Sequence, residues 1–198
     1  MKFISKIIIL GILVLVQSIY ANDQQDLKEL FLQKIHTITT IVQDQTITKD
    51  ERNSKIVALL KPTMDFEIMA KLSLGSREWA KLNQEQKTKF VELYVERMKQ
   101  SYSAKLDAYD GQEIEVTDIL QPKPNRIELV TNIVNPENKL EITYKYYKPA
   151  SHEEGKDKWL IYDVAISGIS ILKTDRAQFS EFLQTKTIDD LISKLSNS

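Results

Sequence analysis

The spacing of apolar and polar residues predicts a helical first half of the chain. Apolar side chains recur there at intervals of three and four residues, which places them on one face of a helix. The predicted helices cover residues 26–42, 48–60, 65–74 and 84–108, and one more turn is possible at 76–82. Their ends carry standard signals: Thr48 and Glu51 form a capping box, Pro62 disfavours helix in the residue before it, and Gly75 supplies a C-terminal cap.

After residue 111 the period of the pattern changes to two, which predicts strands. Four strands are expected, at 113–120, 126–134, 139–147 and 158–166. The last is apolar on both faces, with Trp159 and Ile161 on one and Leu160 and Val164 on the other, so we expect a central strand that is covered on both sides. Gly168 interrupts this strand, after which residues 169–172 can continue the pairing past a bulge. Two terminal helices are predicted at 175–184 and 188–195.

Helices at both ends of a run of hairpin-linked strands predict an α+β fold. The short connections between strands make the sheet antiparallel and strongly curved. We therefore expect helices packed on a curved antiparallel sheet of about four strands. Such an arrangement favours an apolar cavity between the layers.

The first 21 residues have the pattern of a secretory signal peptide. Lys2 and Lys6 precede a ten-residue apolar run at 7–16, and a polar stretch then ends at Ala21. The apolar run is far shorter than the roughly 20 residues that a membrane-spanning helix needs. We therefore expect cleavage after Ala21, export of the chain, and a single domain at 22–198.

Composition removes several classes of function. Lys and Arg number 27 against 28 Asp and Glu, for a formal net charge of −1, which argues against a nucleic-acid partner. The absence of cysteine excludes disulfides and thiolate metal sites. With His36 and His152 as its two histidines, the chain is poorly equipped for a multi-histidine metal site or a serine–histidine triad. We expect neither a metal nor a cofactor.

Asp163 is the one carboxylate inside the otherwise apolar last strand, and two roles are open to it. It could act as a general base of raised pKa, as in isomerases built on a curved sheet. It could also be a structural acid that pairs with Arg176 or accepts from a backbone donor. The structural role is favoured because the sequence shows no second acid–base residue to work with it.

Two segments of the chain resemble one protein family. DFEIMAKLSLGSREWAKLNQEQKTKFVELYVERMKQSYSAKLDAY, at 65–109, has a short helix, a Leu-Gly pair followed by Trp79, and a Gln-rich start to a long Phe/Tyr helix. WLIYDVAISGISILKTDRAQF, at 159–179, has the pattern Trp-x-x-Tyr-Asp-x-x-x-x-Gly-x-Ser before a charged helix start. In this order, and after a signal peptide, the segments resemble the MlaC family of periplasmic phospholipid-binding proteins, also called toluene-tolerance proteins, which are auxiliary components of an ABC transport system.

The resemblance implies a periplasmic carrier with phospholipid as its cargo and no catalytic residues. Its partners would be an outer-membrane lipoprotein–porin complex and an inner-membrane ABC transporter complex with its substrate-binding subunit. Exposing an acyl chain to water costs about 0.8 kcal/mol per CH₂. A carrier therefore needs an apolar, deformable cavity, which methionine and aromatic side chains suit.

The lining of this cavity follows from the direction in which the predicted elements face. The candidates are apolar residues expected to point inward: Phe66, Met69, Leu72, Tyr102, Leu129, Ile142, Tyr144, Trp159, Ile161 and Ile169. On the same resemblance, Asp163, Gly168 and Ser170 are structural. Two alternatives stay open, a periplasmic enzyme or small-ligand binder that uses Asp163, and an interaction module with a filled core.

Overall fold

The computed structural model describes residues 2–107, 109, 111–134 and 139–197, and their side chains from residue 22 onward except at 101–107. The elements in chain order are α1 (Lys2–Gln43), α2 (Lys49–Leu60), α3 (Phe66–Leu74), α4 (Ser76–Trp79), α5 (Gln84–Asp107), β1 (Ile114–Lys123), β2 (Arg126–Val134), β3 (Lys139–Tyr147), β4 (Leu160–Ile166), β5 (Ile169–Ser170), α6 (Ile171–Phe182) and α7 (Ile188–Ser196). The prediction of an α+β fold with an antiparallel sheet is confirmed.

The N-terminal helix is longer than predicted. α1 begins at Lys2 rather than at Asp26, so its backbone passes through the predicted signal segment without a break. The signal peptide and its cleavage after Ala21 stay predictions. Within the part of the chain that the structure describes, no helix is both long enough and apolar enough to cross a membrane.

The sheet has five antiparallel strands in the order β1-β2-β3-β4-β5, one more than expected. The fifth strand exists because Ser167 and Gly168 both have positive φ, 48° and 78°, which makes a tight hairpin turn where a bulge was predicted. Ile169 then pairs with Ile166. The chain enters α6 at Ile171, four residues before the predicted start of that helix.

The irregularity that affects β4 is a bulge inside the strand; β1 has register shifts of its own against β2. Two consecutive residues of β3 pair with Ile161 and Asp163, so Tyr162 has no residue opposite it. A bulge interrupts the regular alternation of side chains between the two faces. As a result, Ile161 and Val164 pack in the same apolar cluster, although strict alternation put them on opposite faces.

Helices cover the two faces of the sheet unequally. α1 lies over one face, which we call the inner face, and packs Leu27 and Phe31 against Ile127 and Leu129. α3, α5, α6 and α7 build a separate helical core. α3 and α6 contact β4, and α6 does so on the face opposite α1. A third, smaller cluster joins α2 to α1 around Ile56. Among the helix side chains that the structure describes, those of α1 pack directly on the inner face.

Candidate functional site

The inner face carries its side chains in three rows that run across the strands. Strand pairing puts Ile127, Tyr146 and Ile161 in the first row, Leu129, Tyr144 and Val164 in the second, and Thr131, Ile142, Ile166 and Ile169 in the third. Residues two apart on a strand project to the same side, so all three rows face α1.

Exposure of these apolar side chains rises from the first row to the third. The first row is covered, and none of its three side chains is more than 5% exposed. Tyr144 and Val164 in the second row are half-buried, as are Ile142 and Ile166 in the third. Ile169, at the end of the third row, is 67% exposed. Uncovered apolar surface thus accumulates at the corner of the sheet where the third row reaches β5.

An open pocket of about 310 Å³ lies at this corner, and we call it the corner pocket. One side is apolar, formed by Ile166, Ile169 and Ile171, and the other is polar, formed by Arg97, Thr174, Asp175 and Gln178. Ile166 and Ile169 belong both to the pocket and to the third row, so the pocket borders the inner face at this corner. Among the described residues, the apolar surface therefore ends in an opening to solvent, whereas an enclosed cavity was expected.

Ion pairs fix α1 over the opposite end of the inner face. Asp23 pairs with Lys158 at 2.6 Å and with Lys148 at 3.4 Å, close to where the first row ends. Burial raises the pKa of Asp23, but the two lysines outweigh this effect and hold the pKa below its usual value. Lys34 pairs with Asp157 at 2.9 Å. These contacts secure α1 at the first-row end, far from the corner pocket.

Tyr144 brings a hydroxyl group into the second row. Its ring centre lies 5.1 Å from that of Phe31 on α1. Burial raises the pKa of Tyr144 to about 12, although a hydrogen bond with Thr131 partly opposes the shift. Burial also raises the pKa of Tyr146, in the first row. Both phenols therefore stay neutral at physiological pH, so the inner face holds no negative charge from them.

The raised pKa of Tyr144 predicts a loss of stability in alkali. Its unfolded value is about 10, so its contribution to folding is complete below pH 10 and is lost as pH rises towards about 12. We expect Tyr144→Phe to lose less stability over this range, because phenylalanine has no proton to release. Part of the alkaline loss should remain in both proteins, because Tyr146 also has a raised pKa and is present in both. Urea unfolding of wild type and variant between pH 8 and 11 measures the difference, and equal alkaline losses would contradict the prediction.

The sheet residues predicted to line a cavity do come together. Leu129, Tyr144, Trp159 and Ile161 lie in the cluster beneath α1, and Ile142 and Ile169 belong to the third row. Their contact with a ligand stays a prediction.

The candidates on the helices lie elsewhere in the fold, and their contact with a ligand also stays a prediction. Phe66 and Met69 lie in the helical core, because α3 packs against α5 and α6 rather than over the inner face. Leu72 is half-buried on the same helix. The side chain of Tyr102 lies outside the described residues. Phe66 and Met69 thus lie in a different cluster from the sheet candidates.

Sequence reasoning missed the contribution of α1 to this site. Leu27, Phe31 and Ile35 pack against the inner face, yet none of them was among the candidates. Their helical spacing was visible in the sequence. The missing information was which surface of the protein this apolar stripe covers.

Asp163 lies on the face opposite α1, and its contacts support the structural role. It accepts hydrogen bonds from the Ser170 hydroxyl at 2.7 Å and from the Leu172 N–H at 3.2 Å. The Ser170 hydroxyl in turn accepts a hydrogen bond from the N–H of Lys173, in the first turn of α6, and so caps that helix. The cation near Asp163 is Lys145, at 3.6 Å, rather than Arg176 as expected. Asp163 thus joins β4 to the start of α6.

Comparison with known proteins gives consistent results. The family model for the MlaC protein matches residues 32–197. The chain is 26% identical over 140 residues to the intermembrane phospholipid transport system binding protein MlaC of Haemophilus influenzae; the match covers 70% of this chain and 64% of that protein's length. The fold resembles that of a phospholipid-binding protein from Ralstonia solanacearum solved in complex with a phospholipid, with a TM-score of 0.68, 17% identity, and coverage of 88% of this chain and 94% of that one. The family match spans both segments on which the sequence resemblance rested, and the chain belongs to the MlaC family.

Proposed function

We propose that this protein is a phospholipid carrier that holds the acyl chains of its cargo against the inner face of the sheet. The observation that carries the proposal is the uncovered apolar surface of the second and third rows, which ends at the corner pocket. Membership of the MlaC family supports it, as do the names of the two similar proteins, one a phospholipid transport protein and the other phospholipid-binding.

The geometry suits acyl chains better than a small rigid ligand. Ile142, Ile166 and Ile169 offer a continuous aliphatic row across three strands, with no charged side chain in it. Each methylene group transferred from water to such a surface contributes about 0.8 kcal/mol to the free energy of binding. The cargo would therefore be held mainly by its chains, and its polar end would lie where the corner pocket meets solvent.

The transport step completes the proposal. The carrier would move phospholipid through the periplasm between an outer-membrane lipoprotein–porin complex and an inner-membrane ABC transporter complex with its substrate-binding subunit. Family membership and the predicted signal peptide support this assignment. A carrier of this kind uses phospholipid as cargo and needs no cofactor.

The test is the lipid content of protein purified from the periplasm. We expect organic extraction and mass spectrometry to find phospholipid with mixed headgroups, because the apolar rows contact chains that all headgroup classes share. A protein of the same size without lipid-binding activity, purified in parallel, controls for carry-over. Protein that yields no lipid would contradict the proposal, while a single headgroup class would contradict only the expectation of a mixture.

A further inference from the structure

Arg97 is the cationic residue of the corner pocket, and its position is fixed by three contacts. Arg97 lies on α5, and its Nη2 donates to two residues of α6, to Asp175 Oδ1 at 2.7 Å and to Gln178 Oε1 at 3.1 Å. Its guanidinium carbon lies 5.5 Å from the centre of the Phe179 ring. The planar group is therefore held in place by α6 rather than free to sample solvent.

Part of this guanidinium group is still available to a ligand. Both of its hydrogen bonds to described residues use Nη2, which leaves Nε and Nη1 without an acceptor among those residues. An arginine carries five N–H donors, so an edge of the fork remains for a further acceptor. The Arg97 side chain is 31% exposed, whereas that of Asp175 is only 7% exposed. The acid therefore lies behind the arginine, and the arginine faces the opening.

We propose that Arg97 binds the phosphate group of the lipid cargo, an inference that rests on the proposed function. Acyl chains on the third row would leave the inner face past Ile166, which also lines the corner pocket. The first polar group of a phospholipid beyond its ester-linked chains is the phosphate. The fork of an arginine matches two phosphate oxygens, and such charge-assisted pairs are stronger than neutral hydrogen bonds.

Phosphate recognition by Arg97 is compatible with cargo of mixed headgroups. The phosphate is common to glycerophospholipids. The other polar residues of the pocket are the uncharged Thr174 and Gln178, and Asp175, whose carboxylate pairs with Arg97. Arg97 would thus distinguish phospholipids from apolar lipids with the same chains, while leaving the identity of the headgroup open. Because Asp175 reduces the net charge of the site, we expect a contribution of about tenfold in affinity rather than a larger one.

The experiment compares phosphatidylglycerol with diacylglycerol that carries the same two acyl chains. Binding of both lipids is measured on delipidated wild-type protein and on the double variant Arg97→Met/Asp175→Asn. Both residues are changed together because Arg97→Met alone would leave the buried carboxylate of Asp175 without its cation, with only the Tyr94 hydroxyl still donating to it. Arg77→Met, at an arginine side chain that is 88% exposed and outside the corner pocket, is the matched control.

We expect the affinity ratio of phosphatidylglycerol to diacylglycerol to fall about tenfold in the double variant and to stay unchanged in Arg77→Met. An unchanged ratio in the double variant would overturn the inference. Equal weakening of both lipids would overturn it too, because a phosphate contact cannot weaken a lipid that has no phosphate. If the double variant does not fold, Arg97→Lys keeps the charge, loses the fork, and is judged by the same ratio. Wild-type protein that binds neither lipid would instead refute the proposed function.

Discussion

Ile142→Asp should yield a folded protein that has lost most of its lipid. Ile142 lies in the third row, half-buried between Thr131 and Ile166. A carboxylate there would lie against the methylene groups of the cargo, and burying it costs several kcal/mol unless it is hydrated or protonated. In the empty protein, water from the corner pocket can reach the site, so the penalty falls mainly on the lipid-bound form. We expect lipid per protein to drop about tenfold or more.

The neighbouring residue supplies a matched control for this variant. Thr143 is also half-buried on β3 but points to the opposite face. Thr143→Asp should therefore keep its lipid. Measurements of lipid content and melting temperature on wild type and both variants test the prediction. Folded Ile142→Asp with normal lipid would show that the inner face does not hold the cargo. An unfolded product would favour an ordinary packed core at this position.

Asp163→Asn should lower the stability of the protein without emptying it of lipid. Both carboxylate oxygens of Asp163 accept hydrogen bonds from the start of α6, and asparagine offers only one acceptor oxygen for the same two donors. Its amide group would also lose the attraction of Lys145. We expect a loss of about 1–3 kcal/mol in the free energy of unfolding. Lipid content should persist in the folded fraction, because this side chain lies on the face opposite α1.

Glu141→Gln is the control for the change from carboxylate to amide. Glu141 is exposed on β3, so neutralising it should change stability by less than about 0.5 kcal/mol. Urea unfolding gives the free energies, and extraction gives the lipid content of the same samples. If wild type turns over a small substrate and an Asp163→Asn protein of normal stability does not, the enzyme alternative would be revived.

Local signals in the sequence predicted most of the secondary structure. The capping box of Thr48 and Glu51 forms as expected, and the alternating segments became β1 to β4. The errors occurred where two local signals compete. Gly168 was predicted to interrupt the strand before a bulge, because the positive φ of Ser167 that completes the hairpin turn is unusual at serine. The start of α6 was missed because its cap, Ser170, is also a strand residue.

The candidate site was predictable only as far as strand alternation reaches. Ile142 and Tyr144 were placed on one face because residues two apart share a face, and the structure agrees. The position of Met69 in the helical core was not predictable, because helical spacing identifies an apolar stripe but not the surface it meets. The pairing of Arg97 with Asp175 could not be predicted from the sequence, because the two residues are 78 positions apart and meet through the packing of α6 on α5.

The bulge at Tyr162 lets β4 present apolar side chains to the surface under α1 and a carboxylate to the start of α6. Before and after it, Ile161 and Val164 contribute hydrocarbon to the surface under α1. Between them, Asp163 turns away and supplies the acid that α6 requires at its start. If Tyr162 were paired and the strand alternated regularly, Asp163 would share the face of Ile161 and point into the apolar surface. One irregular residue thus keeps a charge needed for folding out of the surface proposed to hold lipid, so the two requirements can be altered independently by mutation.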